Sequence, residues 1–188
     1  MATVDVQELV AKLRCCSDKD FVNVPLIRQL VADTPVDPAS IGKFLVWDRQ
    51  HYTRNLIDKN PLFELMAICW EIGHVSSIHN HKGQNCWMAV PIGKLLVQNY
   101  RVIQEDLNAG TCDLEPTDLI EMNPANPCAV DPTHPVHKVY NPAEFQQRAV
   151  SLHVYSRPYD SCVVYSDEQH KCGEIKLHYT SEYGLAHK

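Results

Sequence analysis

Two histidines, His79 and His81, stand one residue apart inside a spaced pattern. It runs Gly73, five residues, His79, Asn80, His81, four residues, Cys86, six residues, Gly93. In an extended strand, residues i and i+2 point to the same face, so the two imidazoles would project side by side. Neutral imidazoles placed this way suit a first-row transition metal such as iron, zinc, copper or nickel. A lone His-x-His also occurs by chance on surface strands, so the pair needs further support. A second block, Pro132-Thr133-His134-Pro135-Val136-His137-Lys138-Val139-Tyr140-Asn141, carries a proline five residues before His137 and an asparagine four after it. In a third, Ser151-Leu152-His153-Val154-Tyr155, three hydrogen-bonding groups alternate with two aliphatics. That polar face is either the wet side of a strand or an inward relay of hydroxyl, imidazole and phenol. In a fourth, Tyr52-Thr53-Arg54-Asn55-Leu56, Arg54 is either a solvated surface side chain or a buried fork for a carboxylate.

Around these residues the chain changes character once. Over the first fifty positions Val6, Leu9, Val10 and Leu13 fall at i, i+3, i+4 and i+7, the stripe of an amphipathic helix. Pro25 and Pro38 suit first-turn positions, and Asp37 suits an N-cap. From about residue 52, short runs rich in Val, Ile, Leu and aromatics alternate with turn residues. They cover 52–57, 63–70, 76–81, 86–90, 94–102, 136–140, 149–155, 161–165 and 174–179. This rhythm predicts an all-β sandwich or barrel. The proline-rich stretch 123–135 reads as a loop. The expectation is one domain over 1–188, a helical cap over 1–50 and a barrel over 51–184.

Composition narrows the partners. At 188 residues the chain is long enough to bury a core without staples. A net charge of −6 offers no basic surface for nucleic acid or anionic lipid. The beginning lacks a basic region followed by an apolar one, and no segment reaches about 18 consecutive apolar residues. Eight scattered cysteines, including the adjacent Cys15-Cys16 and no Cys-x-x-Cys, read as reduced thiols in a cytoplasmic protein. Nothing demands more than a monomer.

The two histidine blocks together resemble the paired motifs of the cupin superfamily. That resemblance implies a mainly β fold, a jelly-roll-like antiparallel barrel with a metal near its centre. In that superfamily the first motif supplies His-x-His and usually a Glu, and the second supplies one more His. Here Cys86 stands at the Glu position and His134 at a usual Gly. The resemblance thus implies a metal site of His79, His81 and His137 with no carboxylate ligand. Adding the Arg54 segment, the run 69–81, the Ser151–Tyr155 alternation and a C-terminal Tyr-Thr-Ser-Glu-Tyr-Gly, the chain resembles the cysteine dioxygenases over roughly 50–184. Several motifs in the right order are more specific than any one alone.

This second resemblance implies Fe(II) as cofactor, a small-molecule thiol and O2 as partners, and oxidation of L-cysteine to cysteine sulfinic acid. It implies that substrate chelates through sulfur and amine, with one coordination position left for dioxygen. Arg54 would hold the substrate carboxylate, with Tyr52 assisting. Tyr155 would direct its hydroxyl at the reacting atoms, and His153 and Ser151 would orient it. Cys86 would join Tyr155 as a thioether, as in animal-type members; many bacterial relatives carry Gly there, so the chain reads as eukaryotic-type. Taken alone, Cys86 is equally a small buried hydrophobe. Cys162 reads as near the pocket mouth or as packing.

One stretch departs from the family. Cysteine dioxygenases usually follow the tyrosine with Ser-Pro-Pro, whose first Ser-Pro bond is cis. This chain reads Ser156-Arg157-Pro158, where a cis Ser156–Arg157 bond would cost about 3 kcal/mol. An arginine after that serine resembles the 3-mercaptopropionate dioxygenases, which carry Gln where this chain has Arg54. The alternatives are therefore a dioxygenase for 3-mercaptopropionate or other small thiols, and a non-enzymatic metal-binding cupin. A structural zinc site is disfavoured, because such sites usually close with four protein ligands.

Overall fold

Apolar periodicity and side-chain caps set the first elements. Helix α1 (Val6–Arg14) buries Val6, Leu9, Val10 and Leu13, the expected stripe, and Asp5 caps it by accepting from the Gln7 amide. Helices α2 (Asp18–Val22), α3 (Val24–Ala32) and α4 (Pro38–Ile41) follow, capped by Ser17, Asn23 and Asp37. Pro25 and Pro38 fall in the first turns, where a missing N–H costs nothing. The computed structural model describes residues 2–130 and 135–187. Pro132, Thr133 and His134 of the second histidine block lie outside the described residues.

Thirteen strands follow among the described residues. They are β1 (Thr53–Lys59), β2 (Glu64–Trp70), β3 (Ile78–His79), β4 (Asn85–Ile92), β5 (Leu95–Asp106), β6 (Thr111–Met122) and β7 (Cys128–Ala129). Then come β8 (Val136–Tyr140), β9 (Ala149–Ser156), β10 (Ser161–Ser166), β11 (Lys171–Lys176), β12 (Ser181–Glu182) and β13 (Leu185–Ala186). One sheet runs β13-β12-β1-β2-β9-β4-β7, and a second closes on itself as β10-β11-β6-β5-β8-β3. The fold is the mainly β barrel with N-terminal helices that the sequence leads one to expect.

The helical cap decides which face of the first sheet looks inward. Val6, Leu9, Leu13, Phe21 and Ile27 pack on Leu65, Ala67 and Cys69 of β2 and on Val150, Leu152 and Val154 of β9. Strand alternation then sends Met66, Ile68 and Trp70 to the other face, against Leu95, Val97 and Val139 of the second sheet. Strand β9 obeys the same rule, so Ser151, His153 and Tyr155 point into the barrel and are buried. The two framing glycines take positive φ, +87° at Gly73 and +74° at Gly93. A Cβ at Gly93 would meet the Arg148 carbonyl oxygen at 2.4 Å, so only glycine fits that turn.

Three sequence expectations shift. Segment 111–122 is a strand that the apolar rhythm does not flag. The run expected over 174–179 is paired over 171–176 instead. Within the proline-rich stretch, the short β7 adds an edge to the first sheet beside β4.

Candidate active site

Strand register assembles the three histidines. His79 and His137 are direct partners across the β3–β8 pair, and His81 follows two residues after His79. Asn80 between them is tied down, accepting from the Val163 amide at 3.1 Å and donating to the Tyr165 hydroxyl at 3.3 Å. Asn141, four residues after His137, is buried and donates to the carbonyls of Trp70, Glu71 and Gln147, which pins the end of β8.

Hydrogen bonding fixes which ring nitrogens face inward. His79 Nδ1 lies 2.9 Å from the Ser77 carbonyl oxygen, and His81 Nδ1 lies 3.1 Å from that of Pro135. A carbonyl only accepts, so each Nδ1 carries the hydrogen and each Nε2 presents a lone pair. Among the described residues, His81 Nε2 and both ring nitrogens of His137 are buried without a partner. One ligand atom from each of the three rings lies within 4.8 Å of the others. Burial holds the His79 imidazole down to about 4, and holds His81 and His137 well below the usual histidine range. Three neutral imidazoles with idle nitrogens aimed at one point fit a transition metal.

The same barrel interior holds a polar relay. The Trp70 indole donates to Ser151 Oγ at 2.9 Å, and Ser151 Oγ lies 2.8 Å from His153 Nε2. His153 Nδ1 lies 2.9 Å from the Tyr155 hydroxyl. Indole is only a donor, so Ser151 Oγ accepts from Trp70, and either tautomer of His153 then leaves one hydroxyl hydrogen unspent, that of Ser151 or that of Tyr155. With the hydrogen on Nδ1, Ser151 donates to His153 Nε2 and the Nδ1–H donates to the Tyr155 oxygen. The phenolic hydrogen is then free to point into the pocket. Burial raises the Tyr155 phenol well above its usual range, with Tyr159 and Cys86 adding to the shift, so it stays protonated at neutral pH.

Arg54, on β1, reaches the same pocket, which His79, His153 and Tyr155 also line. Its Nη2 lies 3.7 Å from Met66 Sδ, and its Nε is buried without an acceptor. Tyr52 stacks on Trp70 with ring centroids 4.8 Å apart and lines the pocket beside Arg54. Cys86 and Tyr155 are direct cross-strand partners in β4 and β9. Cys162 lines the pocket as well. Of the site residues singled out from the sequence, Tyr52, Arg54, His79, His153, Tyr155 and Cys162 line this pocket, while His81 and His137 adjoin it through the histidine cluster, Ser151 through His153 and Cys86 through its pairing with Tyr155.

Arg157 does neither. Its Nη2 donates to Asp18 Oδ1 at 2.6 Å on the surface of α2, and its amide donates to Gln84 Oε1 at 2.5 Å. The Ser156–Arg157 peptide bond is cis. Two residues on, Tyr159 is a pocket group that sequence reasoning passes over. Its ring stands edge-on to Tyr155 at 5.3 Å and to His81 at 6.4 Å. It lies in the turn after Pro158, where no periodicity points inward; an aromatic three residues past a polar strand is the only signal it leaves.

Comparison with known proteins decides the lineage. Residues 2–168 match the family model described as cysteine dioxygenase type I. The chain belongs to that family. Cysteine dioxygenase type 1 of Danio rerio is 31% identical over 181 residues, covering 95% of this chain and 88% of the relative. The Homo sapiens protein of the same name is 30% identical over 172 residues, covering 88% and 81%. A solved Klebsiella pneumoniae protein with a double-stranded β-helix domain superposes with a TM-score of 0.49 at 10% identity, covering 62% of this chain and 86% of that one. As a member of the cysteine dioxygenase family the protein is an oxidoreductase of the dioxygenase class. That sets aside the non-enzymatic reading of the barrel, and the histidine triad supports a metal cofactor.

Proposed function

We propose that this cysteine dioxygenase oxidises L-cysteine with O2 to cysteine sulfinic acid, using Fe(II) held by His79, His81 and His137. The observation that carries this reading is a cluster of three neutral imidazoles, one of which, His79, lines the pocket that also holds Arg54 and Tyr155. Ferrous iron held by these three imidazoles would supply a Lewis-acidic, redox-active centre that favours thiolate over thiol.

The chain's own residues do the rest. Arg54 offers a planar fork to the substrate carboxylate, and its idle Nε gains a partner when substrate arrives. Tyr52, held flat against Trp70, supports the same wall. Tyr155 donates its free hydroxyl hydrogen to the thiolate sulfur or the incoming oxygen, while His153 and Ser151 hold the phenol oxygen in place. Cys86 joins Tyr155 as a thioether. The new bond replaces the thiol S–H and one ring C–H, and the two electrons and two protons pass to dioxygen, the enzyme's own oxidant. Their cross-strand pairing supports this link. The proposal includes a cytoplasmic monomer whose partners are the thiol and dioxygen; a net charge of −6 argues against polyanion binding.

The 3-mercaptopropionate reading rests on Arg157, whose side chain is engaged with Asp18 away from the pocket. Oxygen uptake by the iron-loaded protein, with sulfinic acid quantified, separates the substrates. Preferred turnover of L-cysteine is expected. Equal or better turnover of 3-mercaptopropionate would transfer the assignment, and no uptake with either would overturn it.

A further inference from the structure

The barrel interior contains a second buried ionisable group that the reaction does not use. Glu64 begins β2, and alternation places it on the same inward face as Met66, Ile68 and Trp70. It is 0% exposed. Its register partners are Lys59 on β1 and Tyr155 on β9. Its Oε2 accepts from the Tyr179 hydroxyl and lies 3.9 Å from Lys59 Nζ, which itself donates to that hydroxyl at 3.0 Å. Its Oε1 is buried with no partner. Arg54 rests on Met66, two positions along the same face, with its own Nε unpartnered. Burial raises the Glu64 carboxyl above its usual range, and the Tyr179 hydrogen bond and the charges of Arg54 and Lys59 pull it back down. A carboxylate confined in low dielectric, and turned aside by Tyr179, offsets part of the guanidinium's field.

We propose that Glu64 is a specificity-determining counter-charge to Arg54. It weakens the pocket's grip on the substrate carboxylate and so limits how tightly carboxylate-bearing thiols bind. The idea rests on Arg54 as the carboxylate anchor. Two anions, one fixed and one arriving, share a single guanidinium, and the fixed one lowers the affinity of the other. Thiols without a carboxylate do not meet this competition.

The test is anaerobic binding of L-cysteine and of cysteamine, which lacks only the carboxylate, to the iron-loaded enzyme and to Glu64→Gln. The ratio of the two dissociation constants is the readout, because an unfolded fraction lowers the number of sites but not the ratio. Glu64→Gln should tighten L-cysteine about fivefold, an interior charge–charge effect, and leave cysteamine within about twofold. An unchanged ratio overturns the proposal, as does weaker L-cysteine binding, which would make Glu64 an organiser of Arg54. Should Gln fail to fold, Glu64→Met removes the charge at similar length and is read the same way. Arg54→Gln, run in parallel, separates the two ideas. If it collapses the ratio while Glu64→Gln does not move it, the anchor stands and the counter-charge falls. If Arg54→Gln leaves the ratio untouched, the anchor itself is wrong.

Discussion

Lowering the pH of the metal-free protein from 7 to 5 should remove about 2 kcal/mol of stability for each of His79 and His153. His153 is 3% exposed, and burial pushes it down to about 3, with the charges of His79 and Arg54 adding to the shift. His79 is pushed down to about 4, and His81 and His137 lie well below the usual range. Each ring is neutral in the folded chain and takes up a proton near pH 6.5, about its free value, once unfolded. The unfolded state therefore binds more protons between about pH 6.5 and the folded-state values. Stability is full above that window and is lost as the pH falls through it. His79 and His153 together amount to roughly 4 kcal/mol, a large share of the 5–15 kcal/mol that holds a typical domain together, and His81 and His137 act in the same direction. Urea unfolding followed by tryptophan fluorescence across this pH range measures the slope. His153→Gln keeps a donor and an acceptor but does not titrate here, so it should flatten the slope by about one proton. An identical slope in the variant would refute the reasoning, because His153 would then be charging in the folded state.

Four further outcomes follow from named contacts. Ser151→Ala removes the group that fixes the His153 tautomer, so kcat should fall about tenfold with KM little changed, the loss of one orienting hydrogen bond; steady-state kinetics decide it. Cys86→Ala should abolish a turnover-dependent mass loss of two hydrogens, read by intact-protein mass spectrometry, and persistence of that loss would disprove a Cys86–Tyr155 bond. Ferrous iron should raise Tm in the wild type but not in His137→Ala, measured by differential scanning fluorimetry with and without chelator. Arg157→Ala, which breaks an exposed pair with Asp18, should cost at most about 1 kcal/mol of stability and leave the preference between L-cysteine and 3-mercaptopropionate unchanged.

What the sequence reveals depends on whether neighbours along the chain are also neighbours in space. The α1 stripe is legible because Val6, Leu9, Val10 and Leu13 share one local face. The His79/His81 pair and the Ser151, His153, Tyr155 alternation are legible for the same reason, with a period of two. Strand β6 is not legible, because it lies on the exposed side of the second sheet and carries Asp113, Glu115, Pro116, Asp118 and Glu121. Its pairing is supplied by β5 across the hairpin rather than by an apolar rhythm. Arg157 shows the opposite failure. Its place after Ser156 resembles the 3-mercaptopropionate dioxygenases, but its side chain runs outward to Asp18, and only the backbone path after Ser156 decides that.

Whether the Ser151–Tyr155 face looks inward was undecidable within β9 itself. The answer comes from over a hundred residues away, where α1, α2 and α3 supply the apolar surface that claims Leu152 and Val154. Once those aliphatics are taken, the polar face has nowhere to go but the barrel, and burial then demands that each of its groups be paired. Trp70 meets that demand for Ser151, and His153 bridges Ser151 to the Tyr155 hydroxyl, holding the phenol oxygen in place. The helical cap, which touches no substrate, is thus what aims the phenol. Weakening it, by Leu9→Ala for example, should lower kcat by more than the unfolded fraction explains, since the register of β9 against the cap sets the direction of that hydroxyl. A kcat loss that tracks the folded fraction measured by circular dichroism would show that the relay holds its geometry without the cap.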